Sequence, residues 1–232
     1  AGLLLSFVNK VAAKVEKPFP RLKISTLAYG ETGVPPKTVR PADNVVIQLC
    51  DDELLSPWSK IAPEIYIWEN WPVCYKHLLM VVPRLPEVAG KIRACSDYPQ
   101  MKGMMFLGTY QSPGGSLAPL YCWVMNKLMW DSTLNTNELI ADFCNGYYGE
   151  AGEVMEQYCD LIMSSGLEMS KGCTWDFETH RCSSWVRLSP LFIRRAKELL
   201  DKAKKSAAAN HKVVVEIERE EVAIIYGRLL EG

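Results

Sequence analysis

Acids and aromatic rings gather in this chain where runs of apolar residues stop. The stretch PEIYIWENWP, Pro63 to Pro72, alternates Ile65 and Ile67 with Tyr66 and Trp68. It then turns polar at Glu69 and Asn70 and presents another indole, Trp71. NVVIQLC, Asn44 to Cys50, runs into Asp51, Asp52 and Glu53. LKISTLAY ends at Tyr29 with Glu31 close behind, and KGMMFLGTY ends at Tyr110 with Gln111 and Ser112. These are the groups of a sugar site. Sugar rings stack their C–H faces on indoles and phenols, and their hydroxyls take carboxylates and amides. Cleaving a glycosidic bond needs two carboxyls, ~5–5.5 Å apart for retention and ~6.5–9.5 Å for inversion. Glu69, with Trp68 and Trp71 beside it, is the best candidate acid, because apolar walls disfavour a charged carboxyl. Asp51 or Asp52 is its expected partner, since adjacent parallel strands lie ~4.8 Å apart. Tyr29, Trp68, Asn70, Trp71, Tyr110 and Gln111 are the expected lining of the substrate site. Simpler roles compete: an acid triplet favours the first turn of a helix, and Trp68 fits a plain core. His77, His180 and His211 are scattered, so no histidine-based nucleophile system can be assembled. No cofactor is expected.

These groups need a scaffold that brings strand ends together. Strict alternation in the opening stretch and the near-continuous apolar run of NVVIQLC read as strands, the second of the fully buried kind. With LKISTLAY and KGMMFLGTY they make four strands, and a helix is expected over 85–98. Apolar strands separated by loops and helices argue for a parallel sheet, whose chemistry collects at the strands' C-terminal ends. Leu4, Val8, Val11 and Val15 mark the expected buried face of an N-terminal helix, stopped by Pro18 and Pro20. Beyond the fourth strand the pattern turns helical. Ser116 is the expected cap of a helix to about Trp130. Another helix starts near Asn135 and ends at GYYG, and a third covers about 150–166. The segment 171–184 reads as polar and irregular. Phe192, Ala196, Leu199 and Ala203 mark one late helical face, and Val215, Val222, Tyr226 and Leu229 another. The expected class is therefore α/β, a partial (β/α) TIM-type barrel of parallel strands over 1–130, with a helical C-terminal region over 131–232. A closed eight-stranded barrel takes ~250 residues, so a missing N-terminal barrel half, or an oligomeric partner, is an expected companion of the open sheet.

The totals agree with a globular chain of 232 residues carrying 26 basic and 27 acidic side chains. Near-neutral charge argues against nucleic acid as partner, and no apolar run reaches the ~18 residues of a membrane span. The expected partner is an oligosaccharide or other glycan. Eight cysteines include no C-x-x-C pair, which speaks against zinc. They read mostly as buried thiols, with Cys173 and Cys182 as a candidate disulfide.

Several long blocks together resemble domain of unknown function 4838. They are FVNKVAAKVEKPFPRLKISTLAY, RPADNVVIQLC, WSKIAPEIYIWE, KGMMFLGTYQSPGG, LMWDSTLNTNELIADFCNGYYG and the tail with RAKELLDKAKKSA and VEIEREEV. The resemblance implies a bacterial (β/α) barrel similar to glycoside hydrolases, followed by helices. It also implies an acid at Glu69, commonly Asp in the family. Two departures bear on catalysis. DDELLSP is much shorter than the usual loop before WSKI, and Phe106 or Leu107 stands where family members often carry a Glu.

Overall fold

The computed structural model describes residues 1–69, 81–106, 115–165, 167, 175–176, 181–182 and 188–229. It divides into two compact units, one of residues 1–70 with 91–107 and one of 71–90 with 108–232.

The first unit is a parallel sheet of four strands in sequential order: β1 (Ile24–Ala28), β2 (Val45–Leu49), β3 (Glu64–Glu69) and β4 (Met101–Phe106). This is the singly wound order of a partial (β/α) barrel. Register runs Ala28 beside Leu49, Leu49 beside Ile67, and Ile67 beside Met104. Strand periodicity sends alternate side chains to opposite faces. Val45, Ile47, Leu49, Ile65 and Ile67 are buried on one face, with α1 (Gly2–Glu16) and α2 (Leu55–Ser59) in the same core. α3 (Leu85–Ser96) sends Cys95 into that core from its second half. The opposite face carries Leu27, Tyr66 and Met105, all exposed. Tyr66 lies across that face over Gly103, where an added Cβ would stand 2.6 Å from the ring. Any larger residue there would force the Tyr66 ring to shift; close approach, not backbone conformation, favours glycine.

The buried stripe of α1 is Leu5, Val8 and Ala12: Val8 is shared with the expected stripe, while Leu5 and Ala12 stand where Leu4 and Val11 were expected, and Leu4 is 40% exposed. Polar side chains set that rotation. Asn9 donates to the Arg40 carbonyl (2.7 Å) and accepts from the Ala42 amide (3.0 Å), and Asn44 donates to the Ala12 carbonyl (3.0 Å). Small Ala12 then lets the helix approach closely.

The second unit is helical: α4 (Ala118–Trp130), α5 (Thr136–Tyr148), α6 (Gly152–Ser164), α7 (Pro190–Ser206) and α8 (His211–Leu229). A short antiparallel ladder pairs β5 (Trp175–Asp176) with β6 (Arg181–Cys182). Asn135 caps α5 as expected, accepting from the amides of Asn137 and Glu138. The helix stops at Gly149, whose φ of 53° suits glycine. The buried face of α7 is Phe192, Ala196, Leu200 and Ala203, with Leu200 deeper than Leu199.

Two helical expectations fail for one reason. Ser116 does not cap α4; its hydroxyl donates to Glu220. Nor does α8 bury Val215, Val222, Tyr226 and Leu229. It buries Val213, Ile217, Glu220, Ala223, Ile224 and Gly227, leaving Val222 and Leu229 exposed. A stripe containing a glutamate lost to a stripe of large apolar residues when judged by hydropathy. Hydrogen bonds reverse that order by satisfying the carboxylate inside.

Candidate functional site

Asp52 and Glu69 close on one cation. β2 ends at Leu49, and the acid triplet that follows starts a helical turn. Asp51 accepts from the Glu53 amide (3.1 Å) as the cap of a 3₁₀ turn over Asp52–Leu54, which runs directly into α2. Asp51 is therefore occupied by capping and exposed, while Asp52 points to the neighbouring strand end. β3 places Glu69 on the same parity as buried Ile65 and Ile67, on the helix-covered side of the sheet. There the Lys91 ammonium of α3 lies 2.5 Å from Glu69 Oε2 and 3.0 Å from Asp52 Oδ1. Laid end to end, those contacts cap the separation of the two carboxylate oxygens at about 5.5 Å, within reach of the retaining spacing.

The group is largely shielded, with the Glu69 side chain only 16% exposed. Burial pulls the Lys91 ammonium down, but the hydrogen bonds and charges of Glu69 and then Asp52 outweigh it, so its pKa stands above the ordinary lysine value. Two thiols adjoin the triad. Burial, followed by the Glu69 charge, raises Cys50. Burial, followed by the Asp52 charge, pushes Cys95 up to about 11, against the opposing pull of Lys91. Both shifts favour the neutral thiol over the nucleophilic thiolate. Among the described residues no three His, Cys, Asp or Glu side chains stand together as metal ligands.

The aromatic candidates divide. Trp68 shares its parity with exposed Tyr66, on the face of the sheet away from Glu69, and its buried indole N–H has no hydrogen-bond partner among the described residues. Tyr29 closes β1, is 66% exposed, and begins a 3₁₀ turn in which its carbonyl accepts from the Thr32 hydroxyl (2.9 Å). Asn70, Trp71, Tyr110 and Gln111 lie outside the described residues; so do Leu107 and the candidate partner Cys173. The site thus joins Glu69 with Asp52, not with Asp51. Its missed member is Lys91. Two strand ends of one charge sign need a counterion, and the helix that follows β3 is where one is found; that demand was the available signal.

A family model described as domain of unknown function (DUF4838) matches residues 1–160. The chain belongs to this family. The match spans the four strands of the DUF4838 sheet, the Asp52–Lys91–Glu69 triad and the helices through most of α6. Searches of curated proteins and of solved structures return no match.

Proposed function

We propose that this DUF4838 chain is a carbohydrate-active, glycoside-hydrolase-like protein whose glycan site lies at the C-terminal ends of β1, β2 and β3. One observation carries the reading: two carboxylates from adjacent parallel strand ends converge on one ammonium, so their nearest oxygens stand no more than about 5.5 Å apart. In this reading Glu69 is the acid that protonates the leaving group, and Asp52 is the second carboxylate, nucleophile or base. Lys91 fixes the orientation of both. Exposed Tyr29 supplies a ring surface for sugar stacking. A complementary barrel half, or a partner in its place, would cover the open face that Tyr66 and Met105 line. Hydrolysis of a panel of nitrophenyl glycosides tests the proposal. Glu69→Gln is expected to lower turnover at least about a hundredfold, as for loss of an essential group; undiminished turnover in that variant removes Glu69 from the mechanism.

The lysine favours a second reading. An ammonium occupies the space between both carboxylates, and Glu69 sits on the helix side of the sheet. A non-catalytic glycan-binding or scaffold role needs no proton donor there. Calorimetric titration with oligosaccharides separates the two: saturable binding without hydrolysis by the wild type supports the second.

A further inference from the structure

Within the helical unit, α7 and the end of α8 form an open groove of about 550 Å³ lined by Pro190, Ile193, Arg194, Lys197, Glu198 and Arg228, with Asp201 at its edge. Its charges are unevenly matched. Asp201 is engaged by Lys204 at 3.0 Å, and Lys204 also holds Glu221 at 2.8 Å. Arg194, Lys197 and Arg228 have no carboxylate partner among the described residues. Three cations thus face one groove in which Glu198 alone is an uncommitted acid. Arg194 and Lys197 are three apart on one helix and so project from one face. They belong to the first half of α7, which opens at Pro190. Arg228 stands in the last turn of α8, whose negative end takes part of its charge. Ile193 supplies an apolar wall.

We propose that this groove binds a small oxyanion, a phosphoryl or carboxylate group, with Arg194 as its main contact. A guanidinium fork matches two oxygens of either group in one plane. Lys197 and Arg228 add charge from the two sides, and Glu198 repels. The proposal is independent of the glycan site.

Calorimetry on the full chain, titrated with inorganic phosphate and separately with malonate at matched ionic strength, tests it, with sodium chloride as the control. A saturable one-site heat from phosphate or malonate above chloride is expected, and the stronger of the two identifies the group. Arg194→Gln weakens that binding by about tenfold, the loss of a charge-assisted bidentate contact. Arg228→Gln weakens it less. Glu198→Gln tightens it severalfold, a change that a misfolded variant does not produce. No saturable heat above chloride, or unchanged affinity in Arg194→Gln, overturns the proposal.

Discussion

Glu69 and Glu220 are both shielded carboxyls held by three or fewer partners, yet their surroundings are opposites. Glu69 meets an ammonium at 2.5 Å, shared with a second carboxylate. Glu220 meets no cation among the described residues. Its partners are the Ser116 hydroxyl at 2.5 Å and the Leu117 amide at 2.9 and 3.0 Å from its two oxygens. Leu117 holds a left-handed φ of 59°, so the carboxylate satisfies an amide where the backbone is strained. Around it stand Tyr148 of α5 and Tyr158 of α6, with Cys144 and Cys159 in thiol contact at 3.9 Å, while Glu216 of α8 adds a like charge. Burial pushes Glu220 up to about 7, against the lowering effect of its hydrogen bonds to Ser116 and Leu117. The contrast shows what a single lysine does. In the first unit charge is matched by charge at a strand end that opens to solvent. In the second the chain buries an acid and holds it with neutral donors, which suits a structural tie between α8 and the start of α4.

The largest effect that would break this contrast is in pH. The folded pKa of Glu220 lies above the ordinary carboxylate value, so the folded state holds the proton more tightly than the unfolded one. Stability is then highest below about pH 4.5, falls as pH rises through about 7, and is level beyond. The fall amounts to about 3 kcal/mol. Pulse labelling by hydrogen exchange during urea titrations, which reads the units separately, should show the slope in α4 and α8 amides. Glu220→Gln, the same shape without the charge, should flatten it. A slope that survives in Glu220→Gln assigns the titration to another group.

How much of this was legible in the chain depended on what each residue had to satisfy. All four strands of the sheet, their parallel class, and the Asn135 and Gly149 ends of α5 could be read directly, because alternation and capping are local. Glu69 and Asp52 were legible as strand-end acids for the same reason. The choice between Asp51 and Asp52 was not, since it turns on which of two adjacent acids caps a 3₁₀ turn. For Lys91 the chain offered only the demand for a counterion; which cation answers it depends on how α3 packs against the ends of β2 and β3. The stripes of α1 and α8 were misjudged where Asn9, Asn44 and Glu220 take buried or bridging positions. Hydropathy counts such residues as surface, and only their partners bring them inward.

A second comparison follows from removing the cation. Lys91→Met leaves Glu69 and Asp52 facing each other without a counterion. The triad is partly exposed, so the loss is set at about 2 kcal/mol, below that for a fully buried pair. It should register in the amides of β2 and β3. Adding Glu69→Gln to Lys91→Met should restore part of the loss, because the like-charge pair is gone. If the double variant is as unstable as the sum of the singles, the triad is not a coupled unit.

The smallest change sharpens the comparison from the other side. Ser116→Ala deletes one neutral donor from Glu220 while the Leu117 amide keeps both carboxylate oxygens. The serine hydroxyl favours the charged form, so its loss should carry the pH midpoint of unit two further upward. A hydrogen bond to a charged acceptor is worth more than one to a neutral carboxyl. The destabilisation at pH 8 should therefore exceed that at pH 5 by about 1 kcal/mol. Equal losses at both pH values would mean that Glu220 keeps one protonation state throughout. If that state is the ionised one, its hydrogen bonds offset burial far more completely than its lack of a cation suggests; if it is the neutral one, Glu220 is no carboxylate at all, and in either case the contrast between a charge-matched and a dipole-matched carboxylate fails.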